Sequence, residues 1–358
     1  MAKISPALAI TSESLRKLSS FMKCLAVVLL LWTVSPPLLA DELPRLCVLT
    51  DIGGDPDDQQ SMIRLMVYAN EFEIEGLIAT ASGVPGQLKN PVTRPDLIQE
   101  IIAAYGKVRP NLLRHGSNWP EAEKLERCVK SGNPQRGREN IGDGKDTDGS
   151  RWIIEQVDAG TPTRPLNITL WGGQTDLAQA LWSIKHDRGS DGLASFVQRF
   201  RVFDIDDQDQ LVDWMRTEFP GMYYILSKAR PGRDRREGMY RGIYLGGDES
   251  LTSPAWIEAH IRGKGPLGNL YPMKTWTAPN RYNCMKEGDT PSWFFFLPRG
   301  GNDPADPSKS GWAGEYEKTP EGWYRDKEMG ADPRDAVNRW RPAFQQDFAE
   351  RMAWTVAP

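Results

Sequence analysis

The sequence predicts an α/β fold: a mostly parallel central sheet with helices on both faces. In the first two thirds of the 358-residue chain, short apolar runs alternate with segments of helical periodicity. Such alternation favours a parallel sheet covered by helices. Several Asp- or Gly-rich segments directly follow the apolar runs, and no repeat or linker divides the chain.

The elements can be assigned in order along the chain from their periodicity. Strands are predicted at residues 45–50, 74–80, 166–171, 200–204 and 222–226. Helices are predicted at 58–70, 95–105, 176–185, around Asp213, and at 342–354. Residues 263–335 are rich in Pro, Gly, Trp and Tyr with weak periodicity, so they are predicted to be long loops over the carboxyl-terminal edge of the sheet. Ligands of open α/β sheets bind at that edge.

The first forty residues have the layout of a secretory signal. Lys17 and Lys23 precede an apolar run that ends in small residues near Ala40. Because Met22 begins such a signal by itself, residues 1–21 are interpreted as an upstream extension. The sequence thus predicts a secreted or periplasmic single domain at 41–358, with no stable membrane span after cleavage. An uncleaved anchor is the alternative.

Four carboxylates crowd the loop after the first predicted strand, at Asp51, Asp55, Asp57 and Asp58. No Lys or Arg within the loop offsets them, whereas a hard divalent cation with oxygen ligands would. Gly53 and Gly54 allow the backbone turns that such a site needs. The alternative is helix capping, which explains one or two of the aspartates. We therefore predict a metal site in this loop.

Several segments resemble a known family. The loop sequence 50–61, together with 68–80, 171–182, 287–292 and 346–352, is similar to the nucleoside-hydrolase-like domains sometimes labelled cellulose-binding proteins. They form a branch of the inosine-uridine nucleoside hydrolase superfamily. The resemblance implies a nucleoside-hydrolase-like fold and hydrolysis of a glycosyl bond with the help of Ca²⁺, in preference to Mg²⁺.

The resemblance also implies roles for individual residues. The metal ligands would be Asp51, Asp58, Asp289 and the carbonyl oxygen of Trp171. Asp57 matches the general base, which takes a proton from the attacking water. A capping role at the helix start is its alternative.

This chain departs from the family pattern at three positions. Leu49 stands where the family has its first aspartate, and Val84 stands where it has an asparagine that contacts sugar. Gly288 replaces the histidine that serves as the acid for purine leaving groups. Cleavage of a glycosyl bond is therefore better supported than a nucleoside substrate.

Substrate contacts are assigned to five further residues. Asp55 has no counterpart in the family and is either an additional ligand group or a cap. A second acidic cluster contains Asp206 and Asp207, which either bind sugar hydroxyls or belong to a solvated loop. Trp293 and Trp312 fall in the loop-rich region and either stack on a sugar ring or pack in the core.

The sequence thus predicts an exported metal-dependent hydrolase that cleaves an N-riboside or related glycoside. The alternative is a carbohydrate-binding protein on the same fold with a non-catalytic metal. The expected partner is a small sugar, a nucleoside or an oligosaccharide, and a homo-oligomer is left open. Nucleic acid is not expected, because the net charge is −4 and basic residues are scattered.

Overall fold

The computed structural model describes residues 42–82, 90–328 and 330–356. Within them a sheet of eight strands runs through the molecule. In chain order the strands are β1 Arg45–Thr50, β2 Glu73–Ala79, β3 Val129–Ser131, β4 Leu166–Leu170, β5 Phe200–Ile205, β6 Tyr223–Ser227, β7 Tyr316–Lys318 and β8 Tyr324–Asp326. Their order across the sheet is β3-β2-β1-β4-β5-β6-β8-β7.

The sheet is parallel except at one edge. β1 pairs in parallel with both β2 and β4, and the pairs Thr50–Ala79 and Leu49–Leu170 show that these three strands end together. β7 and β8 form an antiparallel pair at the far edge. The predicted mostly parallel α/β sheet is confirmed.

The central strands are apolar because both faces of the sheet are covered. Along β1, Leu46 and Val48 point into one hydrophobic core, whereas Cys47 and Leu49 point into the other. Successive side chains therefore point to opposite faces of the sheet, as the two-residue repeat of a strand requires.

Helices pack on both sides of this sheet. In chain order they are α1 Asp57–Met66, α2 Pro95–Leu112, α3 Ala122–Arg127, α4 Asp148–Asp158, α5 Gln174–Phe196, α6 Val212–Glu218, α7 Pro254–His260, α8 Gly265–Asn269, α9 Thr290–Phe294, α10 Asp335–Asn338 and α11 Arg341–Ala353. Apolar residues of α1, α2, α9 and α11 belong to the first core. Those of α4, α5 and α6 belong to the second. The prediction of helices on both faces is confirmed.

Some elements differ from the predictions. The edge strand β3 and helix α4 lie in a stretch for which no element was predicted. α5 continues from Lys185 to Phe196, and Gly189 with φ 66° marks a kink in the extension. The region 263–335 contains long loops but also α8, α9, β7 and β8. These elements are only three to five residues long, so they leave little periodicity in the sequence.

Two predictions fall outside the described residues. The leader at 1–40 is one, and the departure at Val84 is the other. Export and the single domain at 41–358 therefore stay predictions. In the part of the chain that the structure describes, no helix has the length and apolar character needed to cross a membrane.

Candidate metal and substrate site

The candidate site lies where the chain direction across the sheet reverses. From β1 the chain proceeds to β2 on one side, while β4 and β5 follow on the other. Asp51 follows β1, Trp171 follows β4, and Asp206 follows β5. Ligands of open α/β sheets bind at such a switch point, at the carboxyl ends of the strands.

The loop after β1 turns sharply at Gly53. Its φ is 107°, and a Cβ atom there would lie 2.6 Å from Oγ of Ser82. Glycine is therefore required by both conformation and space. The loop then enters α1, whose first turn carries Asp57 and Asp58. The helix N-terminus is a favourable position for both carboxylates.

Three carboxylates come together in the folded chain. Asp57, Asp58 and Asp289 each offer one oxygen, and these oxygens lie within 4.8 Å of one another. Asp289 directly precedes α9, which packs against α1. This arrangement places together two of the four predicted metal ligands and the predicted base.

The electrostatics of this group fit a cation. Asp58 accepts a hydrogen bond from Oγ1 of Thr50. Among the described residues, no hydrogen-bond donor reaches the buried Oδ2 of Asp289. Burial and the negative charge of the nearby aspartates raise the pKa of both Asp58 and Asp289 well above the ordinary value. A buried carboxylate oxygen without a partner is costly, and a divalent cation with oxygen ligands would supply one.

The other two predicted ligands have protein partners. The carboxylate of Asp51 accepts a hydrogen bond from Arg136. The carbonyl oxygen of Trp171 accepts one from the side-chain amide of Gln208. A cation bound by all four ligands would either displace Arg136 and Gln208 or share the two acceptor oxygens with them.

Lys286 is a site residue that the sequence interpretation missed. Its Nζ lies 2.6 Å from Oδ2 of Asp55 and 2.9 Å from Oδ2 of Asp57. The loop itself contains no cation, but the folded protein brings one to it from a distant segment. Burial raises the pKa of Asp57, and Lys286 opposes this effect. The one signal in the sequence was that Lys286 lies three positions before Asp289. That signal was weak, because Lys286 is outside the segments that carry the family resemblance.

The carboxylate of Asp55 binds the backbone of a neighbouring loop. Its carboxylate accepts hydrogen bonds from the backbone N–H groups of Trp276 at 2.8 Å and Thr277 at 3.0 Å. Burial favours a higher pKa for Asp55, but Lys286 and these hydrogen bonds outweigh it and lower the pKa. Asp55 also lines the cavity at this site, so its contact with substrate stays a prediction, although its two oxygens already hold the loop at 276–277.

The second acidic cluster is largely satisfied by the protein. Oδ2 of Asp204 accepts hydrogen bonds from Gln174 at 2.8 Å and from Tyr224 at 2.7 Å. Oδ2 of Asp209 accepts two from Thr175, from the backbone N–H at 2.9 Å and the hydroxyl at 2.7 Å. Both carboxylates therefore fix the loop after β5 to the start of α5.

The two predicted substrate residues of that cluster line one cavity together, and Asp206 also lines a second. Asp206 lines the cavity that also contains Asp57, Asp58 and Asp289, which we call the main cavity. There Asp206 pairs with Arg235 and lies 3.8 Å from the guanidinium of Arg241. Asp207 lines a neighbouring cavity, pairs with Lys228 at 3.0 Å and accepts a hydrogen bond from the N–H of Val212. Contact with sugar hydroxyls stays a prediction for both residues. Asp207 does not line the main cavity, so it would reach only a part of the ligand that enters the neighbouring cavity.

Trp293 and Trp312 are core residues, so the prediction that they stack on sugar is wrong. The Trp293 side chain is fully buried, and its ring centroid lies 5.2 Å from that of Tyr68. Trp312 packs on Phe294 with centroids 5.3 Å apart. Among the described tryptophans, Trp276 is the exposed one, with 59% of its surface accessible, and it directly precedes the cavity-lining residues 277–279.

The main cavity has a volume of about 400 Å³, within the range of ligand sites. Asp51, Asp57, Asp58 and Asp289 line one part of it. A single turn at Met239–Ile243 contributes Tyr240 and Arg241. A Cβ at Gly288, where the resemblance implies a histidine, would lie 3.4 Å from the ring of Tyr240 and 3.5 Å from Oδ2 of Asp57.

A family model and one solved structure agree with this architecture. A family model described as "Cellulose-binding Sde182, nucleoside hydrolase-like domain" matches residues 45–316. A solved nucleoside hydrolase-related hypothetical protein from Saccharophagus degradans, associated with carbohydrate metabolism, is 31% identical with a TM-score of 0.70. That alignment covers 88% of this chain and 72% of the other. The effector protein XOO4466 is 12% identical with a TM-score of 0.46, over 88% and 95% of the two chains. No curated protein matches this chain.

Proposed function

Because the chain belongs to the cellulose-binding Sde182, nucleoside hydrolase-like family, we propose that it is an exported hydrolase that cleaves a glycosyl bond. The observation that supports catalysis is the position of Asp57 beside Asp58 and Asp289. A protein that only bound sugar through a metal would not need an additional carboxylate at this point.

We assign the metal to Asp51, Asp58, Asp289 and the carbonyl oxygen of Trp171. The unpartnered Oδ2 of Asp289 supports this assignment. Ca²⁺ suits the group better than Mg²⁺, because it accepts irregular sets of six to eight oxygen ligands. A bound Ca²⁺ would orient sugar hydroxyls and lower the pKa of a nearby water.

Asp57 would act as the general base. As the water oxygen bonds to the anomeric carbon and the bond to the leaving group breaks, a water proton passes to the Asp57 carboxylate. Burial raises the pKa of Asp57, which strengthens it as a base. Positive charge that develops on the sugar ring would be stabilised by the surrounding carboxylates.

One observation favours the alternative of a carbohydrate-binding protein. The ammonium of Lys286 lies 2.9 Å from Oδ2 of Asp57. A carboxylate already paired with a fixed cation is a weaker proton acceptor, since the cation stabilises its ionised form. In this alternative the same carboxylates and metal would only position sugar hydroxyls.

The test is release of reducing sugar from a panel of nucleosides and glycans in the presence of Ca²⁺. Asp57→Asn should lower the rate by about a hundredfold or more, because it removes the general base. Ca²⁺ should still bind, at most about tenfold more weakly, because Asp57 is not assigned as a ligand but its negative charge near the ion is lost. The matched control is Asp213→Asn, which alters an aspartate whose side chain is 88% exposed and should leave the rate unchanged.

Two results would count against the hydrolase. If Asp57→Asn kept the wild-type rate, the base assignment would be wrong. If the wild-type protein bound members of the panel but released no sugar from any of them, the binding alternative would hold.

A further inference from the structure

A second cavity adjoins the main one and has the opposite charge. It has a volume of about 450 Å³ and shares Asp206, Gln208 and Arg235 with the main cavity. Among the described residues, five cations line it, against the two carboxylates of Asp206 and Asp207. The five are Arg136, Lys228, Arg230, Arg233 and Arg235. We call it the basic cavity.

The charge of the basic cavity is a local feature. The chain carries a net charge of −4. Within the described residues, seven carboxylates and four cations line the main cavity, so its lining is net negative. Clefts lined by one sign of charge focus the field and attract ligands of the opposite sign. The two cavities would therefore attract different groups of the same ligand.

Most of the basic charge comes from the segment 228–236, which begins directly after β6. Every cation of the basic cavity already pairs with a carboxylate. The partners are Asp51 for Arg136, the buried Asp207 for Lys228, Glu317 for Arg230, Glu237 for Arg233 and Asp206 for Arg235. Lys228 lies 3.0 Å from Asp207, and Arg233 lies 3.1 Å from Glu237. With 59% of the Arg233 side chain exposed, its ion pair contributes little to stability. An incoming carboxylate can replace Glu237 at small cost.

We propose that the ligand of this protein is an acidic glycan with uronate-type carboxylates. One sugar unit would occupy the main cavity, and the carboxylate of a neighbouring unit would bind the cations of the basic cavity. Guanidinium groups bind carboxylates through two parallel N–H···O bonds, which gives direction as well as strength. The assignment of the main cavity rests on the proposed function, whereas the charge preference of the basic cavity does not depend on turnover.

The test compares the binding of matched neutral and acidic probes. Cellohexaose is paired with its C6-carboxylated counterpart, and mannohexaose with a mannuronate hexamer. Binding is measured by calorimetry at low salt with Ca²⁺, on the Asp57→Asn protein so that turnover does not interfere. At least one acidic probe should bind about tenfold more tightly than its neutral counterpart, and 0.5 M NaCl should remove most of this preference.

Arg233→Gln locates the effect. It should weaken binding of the acidic probe about threefold to tenfold and leave any binding of the neutral probe unchanged. Lys228→Gln is a second variant with the same expected direction. Arg151→Gln is the matched control, because Arg151 is 60% exposed, pairs with the exposed Asp148 and does not line the basic cavity. It should change neither affinity.

The outcomes separate this inference from the proposed function. Equal affinity for both members of every pair, or no binding of any acidic probe, would overturn the acidic-glycan assignment. An acidic preference that Arg233→Gln and Lys228→Gln both leave intact would also overturn it. Tight binding of an acidic probe that wild-type protein never hydrolyses would instead count against the hydrolase and support the acidic ligand.

Discussion

One acidic group gathers around the loop after β1 and another lies at the end of β5, with β4 between the two strands, yet only the first has the properties of a metal site. The first comprises Asp51, Asp55, Asp57, Asp58 and Asp289, and the second comprises Asp204, Asp206, Asp207 and Asp209. In the second group, Gln174, Tyr224 and Thr175 donate hydrogen bonds to Asp204 and Asp209. Oδ1 of Asp209 accepts no hydrogen bond from the described residues, but it lies 3.7 Å from Nε of Arg136, whose positive charge offsets it. In the first, no donor among the described residues reaches Oδ2 of Asp289.

The comparison shows that a high density of aspartates does not identify a metal site by itself. Buried polar atoms in proteins nearly always have partners, and each exception needs a physical explanation. The cluster at 204–209 uses its carboxylates to hold a loop. The cluster around Asp58 and Asp289 has carboxylate oxygens that repel one another, and a cation would resolve this.

Two tryptophans show a similar contrast, because Trp293 packs in the core whereas Trp276 is exposed to solvent. Trp293→Ala should lower the free energy of unfolding by about 3–5 kcal/mol, because it empties a fully buried site. Trp276→Ala should change it by less than about 0.5 kcal/mol, since that ring is 59% exposed. Denaturant unfolding measures both values.

Trp276→Ala should have its effect on ligand binding instead. If the ring stacks on a sugar at the cavity rim, affinity for a bound saccharide should fall roughly threefold to tenfold. An unchanged affinity would show that Trp276 does not contact the ligand. A stability loss in Trp276→Ala as large as in Trp293→Ala would contradict the placement of the two rings.

Within the first acidic group, Lys286 pairs with Asp55 and Asp57 but not with Asp58 or Asp289 among the described residues. Removing Lys286 therefore tests how the charge of this group affects stability and Ca²⁺ binding. Lys286→Gln leaves Asp55 and Asp57 without their buried cation, so we expect a loss of about 3 kcal/mol in the free energy of unfolding without Ca²⁺. Ca²⁺ should bind roughly tenfold more tightly, because a positive charge near the ligands is gone. Unfolding and calorimetric Ca²⁺ titrations measure the two effects. Unchanged Ca²⁺ affinity would place the ion away from Asp57.

The fold was largely predictable from the sequence because its signals are local. Apolar runs such as 45–50 and 166–171 form strands buried on both faces, and their alternation with helices determines the parallel sheet. The short strands β7 and β8 were not predictable, because three residues carry no periodicity.

The site was predictable only in part. Asp57 and Asp58 lie in one loop, and the resemblance to a family added Asp289. Lys286 was missed because it is 231 positions from Asp55 and meets it only through the fold. Composition also could not separate Trp293 from Trp276, since both lie in the same Trp-rich region and only packing decides which ring is buried.

Direct measurement of Ca²⁺ binding is the closest test of the central claim. Calorimetry should find one Ca²⁺ per wild-type chain, no binding by Asp289→Asn, and wild-type binding by Asp204→Asn, whose carboxylate belongs to the second acidic group. Absence of Ca²⁺ binding by the wild-type protein would contradict the account. So would equal loss of binding in both variants, because the two acidic groups would then not differ in the way proposed.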